Sequence, residues 1–164
     1  MDDIRIAVQE CPPDVLTFSE TKLDENVPMV QLRLDGYDLF TRNRDGNGGG
    51  SACYVSKSLT SCRIDRLEQD DIECLWVEIA LPKTKPVLIG TFYRPPSSNI
   101  DYFHRIEANI ASALADNKEM FVLGNFNIDL LPKHKLGLAQ KVVQMCNIFQ
   151  LKQLIAEPTR ITET

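Results

Sequence analysis

Residues 87–93 read "VLIGTFY", with no charged or strongly polar side chain, and the run ends at once on Arg94-Pro95-Pro96. A stretch this short and this evenly apolar has no solvent face to offer. It suits a central strand covered on both sides, and that requires other layers of chain above and below it. Nearby segments supply candidates for those layers. Val77, Ile79 and Leu81 alternate with Glu78 and Ala80, which predicts a half-buried strand. Further strands are expected at 15–18, at 37–42, in "SACYVSKS" and "SCRIDRL", and in "MFVLG".

Helical periodicity frames this run of strands. The opening "DDIRIAVQE" reads as the tail of a helix broken at Pro12-Pro13. Ser98 or Asn99 can cap a helix reaching to about 117. Its apolar face holds Phe103, Ile106, Ile110, Ala113 and Leu114, and its polar face Arg105, Glu107, Asn109 and Asp116. A second helix is expected from about 136 to 149, with Leu138, Val142, Met145, Cys146 and Phe149 as its stripe. The end, from 151 on, reads as a short apolar piece and an extended tail. Strands crowd the middle, so sheet with helices outside it is expected rather than a regular alternation of strand and helix.

At 164 residues, 43% hydrophobic and 25% charged, the chain suits one domain with a real core. The net charge of −5 argues against a surface that attracts nucleic acid as a whole. It does not exclude nucleic acid, because a bound divalent cation offsets acidic charge locally. Basic residues gather at Arg42 and Arg44, at Lys57, Arg63 and Arg66, and at Lys133, His134 and Lys135. Each group taken alone reads as a solvated edge. Five cysteines without a C-x-x-C pair fit neither zinc nor a disulfide framework, so reduced thiols are expected. The opening residues read without the apolar core of a signal peptide, so none is expected, and no apolar run here is long enough to span a bilayer. The expectation is an intracellular protein, cytoplasmic or nuclear, with no membrane partner.

The chemistry-bearing residues stand at strand ends. Glu20 follows the strand at 15–18, Tyr93-Arg94 closes the central strand, and Asn125 and Asn127 follow "MFVLG". Acid, phenol and amide divide the work of phosphate chemistry. A carboxylate binds a hard cation such as Mg²⁺, neutral donors hold phosphate oxygens as charge develops, and a base activates water. Singly, Glu20 reads as a solvated loop acid, the asparagines as turn residues and Tyr93 as a boundary side chain.

Taken in order, "DVLTFSETKLD" (14–24), "GNGGGSACYV" (46–55), "LIGTFYRPP" (88–96), "FVLGNFNIDL" (121–130) and "AEPTRIT" (156–162) resemble the endonuclease/exonuclease/phosphatase superfamily. They are most similar to the apurinic-type endonuclease domains of non-LTR retrotransposons. The resemblance implies a four-layer α/β sandwich of two packed, mostly antiparallel or mixed sheets flanked by helices, with the site at one edge. It also implies Mg²⁺- or Mn²⁺-dependent hydrolysis of phosphodiesters, usually the nicking of DNA. Carried over by position, Glu20 matches the metal-binding glutamate, Tyr93 the phosphate-contacting tyrosine, and Asn127 the last residue of the G-D-F-N motif, which supports the transition state. The aspartate of that motif falls at 125, where this chain has asparagine.

Two more departures accompany Asn125. The family's first strand with its metal-side asparagine precedes Met1, and its late aspartate-histidine pair is absent before Thr164. The resemblance thus reads residues 1–164 as a single domain of this family, truncated at both ends. His104, early in a helix, and His134, in a lysine-rich loop, do not replace the histidine. Losing a general acid or base typically removes about 10²- to 10⁴-fold in rate. The expectation is therefore a derivative of a DNA endonuclease, inactive or strongly impaired, with weakly held metal. The alternatives are a non-catalytic binding or assembly module that keeps the fold, and an unrelated α/β domain matching by chance. Exposed strand edges predict self-association or a complementing chain. Arg42 and Arg44, beside the glycine-rich turn, and Arg94 are the expected contacts for nucleic acid. That turn lacks both the P-loop Lys-Ser/Thr and the Rossmann spacing.

Overall fold

The chain's computed structural model describes residues 1–23, 26–43, 49–131, 137–157 and 159. The helix α1, Asp2–Glu10, has Asp2 and Asp3 in its first turn, where negative charge complements the helix dipole. The strands β1 (Val15–Ser19), β2 (Tyr37–Arg42) and β3 (Ser51–Ser56) form one antiparallel sheet in the order β1-β3-β2. A second sheet holds β4 (Thr60–Arg63), β5 (Glu73–Ala80), β6 (Val87–Tyr93) and β7 (Glu119–Asn125), side by side in that order. The first three of these pair antiparallel. The β6–β7 pair is parallel, because α2 (Ile100–Leu114) carries the chain back across the sheet between them. The helix α3, Leu138–Ile148, follows β7.

Three apolar clusters separate four layers. Ile4 and Val8 of α1 pack on the outer face of the first sheet with Leu16, Phe18 and Tyr54. Between the sheets lie Cys53, Val55, Leu75, Val77, Ile79, Val87 and Ile89, with Val15 and Leu123 beside them. Behind the second sheet, Cys74, Trp76, Leu88 and Phe92 meet Phe103, Ile106 and Ile110 of α2 and Val142 and Met145 of α3. The molecule is thus a layered α/β sandwich of two packed sheets, as the resemblance implies. Burial pushes the Cys53 thiol up to about 12, so at neutral pH it serves as a small apolar residue.

Three local expectations need correction. The alternation at 77–81 suggests a half-exposed strand, yet Cys74, Leu75, Trp76, Val77 and Ile79 are all buried. The strand β5 is covered on both faces, by the other sheet and by α2, and only Ala80 and Leu81 surface at its end. The stretch "SCRIDRL" is strand only as far as Arg63; one 3₁₀ turn, Asp65–Leu67, then drops Leu67 into the core. Asn109, expected on the polar face of α2, is 1% exposed. Its Oδ1 accepts from the Trp76 indole N–H at 2.9 Å and its Nδ2 donates to the Leu67 carbonyl at 2.6 Å. A polar residue buried this way has a partner at each end of its amide, which is why the helical wheel mistakes its side.

Candidate functional site

Alternation along the strands explains where the polar residues gather. Side chains two positions apart share a face. The inter-sheet rows therefore run Ile79, Val77, Leu75, Glu73 on β5; Val87, Ile89, Thr91, Tyr93 on β6; and Leu123, Asn125 on β7. In the opposite sheet they run Val55, Cys53, Ser51 on β3 and Val15, Thr17, Ser19 on β1. The space between the sheets is apolar in the middle and turns polar at one end. Register sets Glu73 opposite Tyr93, and Tyr93 opposite Asn125, across three adjacent strands of the second sheet.

Glu20 reaches this end from the first sheet, directly after β1. Its backbone is left-handed, with φ 57°, a strained conformation for a residue with a Cβ. Its Oε2 accepts from Asn125 Nδ2 at 3.3 Å. The Tyr93 hydroxyl also lies close enough to Glu20 for a side-chain hydrogen bond to count among the causes that raise its pKa. Burial, that hydrogen bond, and the nearby carboxylates of Glu20 and Glu73 push the Tyr93 hydroxyl up to about 12. It stays protonated at neutral pH and can act only as a donor to an anion. Asn125 Oδ1 accepts the Asn127 backbone N–H at 3.0 Å, a side-chain turn that fixes which way its amide faces. The oxygen looks back to the chain and the N–H₂ looks toward Glu20.

The other expected residues sit differently. Asn127, with φ 51°, donates through Nδ2 to the Arg94 carbonyl at 2.8 Å, so it latches the loop after β7 to the end of β6. Arg94 is 5% exposed, and its guanidinium donates to the carbonyls of Ser98 at 2.7 Å and Phe126 at 3.4 Å. It braces the site from beneath rather than presenting charge to a ligand, a departure from its expected contact with nucleic acid. Arg42 likewise turns inward, donating to the carbonyls of Cys74 and Gln69 and pairing with Glu68 and Asp70. It ties β2 to the second sheet. Arg44 lies outside the described residues, as do Lys133, His134 and Lys135. His104 is exposed on α2.

Sequence reasoning passed over Glu73 and Tyr102. Glu73 opens β5, and only the register with β6 sets it opposite Tyr93. Tyr102 sits in the first turn of α2, where Asn99 caps its backbone N–H, and the hydroxyl accepts from Glu73 N at 2.8 Å and donates to Tyr93 O at 3.2 Å. No pattern in the chain signals that contact.

Among the described residues, the carboxylate this end offers to a cation is Glu20, with an amide N–H turned toward it, while that of Glu73 is bonded to the Gly50 N–H. Hard divalent cations take about six oxygens, several of them from water, so this set suits a loosely held ion. Among the described residues, no group of three or more His, Cys, Asp or Glu side chains is arranged to hold a metal.

Comparison with known proteins bears on this geometry. The endonuclease domain of TRAS1, a telomere-specific non-LTR retrotransposon, superposes with a TM-score of 0.67 at 12% identity, over 90% of this chain and 64% of that one. ANGEL2, a 2′,3′-cyclic phosphatase, gives 0.63 at 16% identity, over 88% and 46%. An AP endonuclease from Archaeoglobus fulgidus gives 0.51 at 16% identity, over 79% and 52%. The chain spans less than two thirds of each of these solved structures, and at such identities the likeness carries the fold alone. No curated protein sequence matches. The sequence profile of the Endonuclease/Exonuclease/phosphatase family, however, matches residues 1–136. With most of its length covered by that match and its two-sheet sandwich shared with the solved structures, the chain belongs to the endonuclease/exonuclease/phosphatase family.

Proposed function

We propose that the chain derives from a divalent-cation-dependent endonuclease of the retrotransposon type, acting on phosphodiesters of DNA, with turnover strongly reduced by Asn125. The observation that carries this reading is the meeting of Glu20, Tyr93 and Asn125, from three strands of two sheets, at the polar end of the inter-sheet space. A Mg²⁺ or Mn²⁺ ion at Glu20 would neutralise charge on a bound phosphate. The chain's own groups supply the rest. The neutral Tyr93 hydroxyl and the Asn125 N–H₂ are donors to phosphate oxygens. Asn127, held to the Arg94 carbonyl, keeps the loop after β7 in place. Hydrolysis requires a proton to leave the attacking water and another to reach the departing oxygen. Asn125 cannot accept the first at neutral pH.

Nicking of supercoiled plasmid DNA in Mg²⁺ tests this. The expected result is slow nicking, lost in Glu20→Ala and raised about 10²-fold or more in Asn125→Asp. Nicking that is unaffected by Glu20→Ala overturns the assignment.

One observation favours the second reading, a binding or assembly module without catalysis. The Asn125 amide already satisfies Glu20 Oε2, so the acid has a partner without any cation. Silence of the Asn125→Asp form in the nicking assay supports that reading. Self-association, or pairing with a complementing chain, belongs to both readings. Its support is the sheet order, which among the described residues leaves β1, β2, β4 and β7 as edge strands, and Phe121 of β7, 45% exposed.

A further inference from the structure

We propose that Glu73 is a positioning residue for Glu20, a role that rests on the reading of Glu20 as the cation-side acid. The two residues belong to different sheets, and a short relay of hydrogen bonds joins them. Glu73 Oε2 accepts the Gly50 N–H at 3.0 Å. The Gly50 carbonyl accepts Thr21 N–H at 3.3 Å, and the Gly49 carbonyl accepts Lys22 N–H at 2.8 Å. Thr21 and Lys22 are the two residues after Glu20, and Glu20 and Lys22 are both left-handed, at φ 57° and 50°. Two such residues so close in sequence persist only where the surroundings hold them. The glycine pair does the holding, and Glu73 anchors the pair.

The fit leaves no room for side chains. Gly49 and Gly50 sit at φ 90° and 88°. A Cβ at Gly49 would lie 2.2 Å from Glu73 Oε2, and one at Gly50 would lie 2.6 Å from Thr21 Oγ1. The carboxylate thus packs directly on the glycine backbone while its own amide N–H bonds the Tyr102 hydroxyl, which reaches on to Tyr93. Glu73 therefore sets the height of the Glu20 loop against the Tyr93–Asn125 row. The chemistry of the site depends on it through geometry rather than through contact with substrate.

Amide hydrogen exchange on the ¹⁵N-labelled chain reads the relay directly. In Glu73→Ala, protection of the Thr21 and Lys22 amides falls about tenfold or more, and the HN–Hα coupling of Glu20 moves off its left-handed value. Amides of α2 keep their protection. Glu73→Gln retains an acceptor at the same place and stays near wild type. Gly49→Ala reproduces the loss from the other side, and decides the matter if Glu73→Ala does not fold. Unchanged Thr21 and Lys22 protection in the alanine variants overturns the proposal. So does a loss spread equally over α2 and β6. Mn²⁺ added to the same samples gives a separate readout. Broadening near Glu20 in the wild type, weakened in Glu73→Ala, is the expected pattern. Absence of broadening in every form removes the cation reading, while exchange still judges the relay.

Discussion

At the scale of single residues, Gly124 shows how a small side chain can be decisive. It lies at φ 129° against β6, and a Cβ there would come within 1.9 Å of the Phe92 carbonyl oxygen. That oxygen is backbone in the middle of a sheet and cannot step aside. Gly124→Ala is expected to cost more than about 2 kcal/mol, read as a lower urea midpoint at unchanged slope. Asn109 makes the complementary case. Asn109→Ala leaves the Trp76 N–H and the Leu67 carbonyl buried without partners and is expected to cost about 1–3 kcal/mol in the same measurement. Gly124 was legible in the chain, as the point where an apolar run turns polar. Asn109 was not, since helical spacing reports polarity and cannot see a bonding partner 33 residues away in sequence.

Among the elements, the most legible were those whose burial is one-sided or complete. The continuous run at 87–93 gave β6, and the 3.6-residue stripes gave α2 and α3. Strand β5 was harder, because its exposed end alternates while its body is covered on both faces. The arginines misled for a related reason: Arg42 and Arg94 look like surface charge, yet each spends its donors on carbonyls that only the folded chain brings near. Where α2 hands over to β7, charges act as a set. Asp116 meets Arg66 and Lys118, and Lys118 also meets Glu78 of β5. Burial tends to raise the Asp116 carboxyl, but the hydrogen bonds from Arg66 and Lys118 outweigh it and hold the group below the usual aspartate value of 3.8. A depressed carboxylate stabilises the fold above its unfolded pKa and loses that contribution as pH falls through the folded value. Between neutrality and pH of about 3, wild type should therefore lose more stability than Asp116→Asn. The difference should stay below about 1 kcal/mol for a set only partly withdrawn from solvent, as thermal unfolding across pH would show.

Across the whole molecule, two sheets of unequal width leave a step. The second sheet has four described strands and the first three; β1 packs on β6 and β7 and β2 on β5, so the step falls at β4, while Phe121, on the inter-sheet face of the edge strand β7, is 45% exposed. Sedimentation at rising concentration is expected to show mass increasing beyond the monomer, with Phe121→Lys shifting the balance back. A single species of monomer mass at every concentration would discard self-association. The layout also explains what could be read of the site beforehand. Strand ends pointed to Glu20, Tyr93 and Asn125, and the fold brings these three to one end of the sandwich, because a sheet edge collects whatever follows its strands. Glu73 stayed hidden because its role depends on register between strands, which no single segment encodes.

Trp76 gives the molecule a built-in optical gauge. The lone indole is fully buried behind the second sheet, edge-on to Phe92 at 5.5 Å and bonded to Asn109. Its emission should therefore be blue-shifted and should answer to separation of α2 from the sheet, while staying dark to rearrangements around Glu20 on the far side. A fluorescence melt and a probe placed at the site will then disagree whenever the loop loosens before the body does.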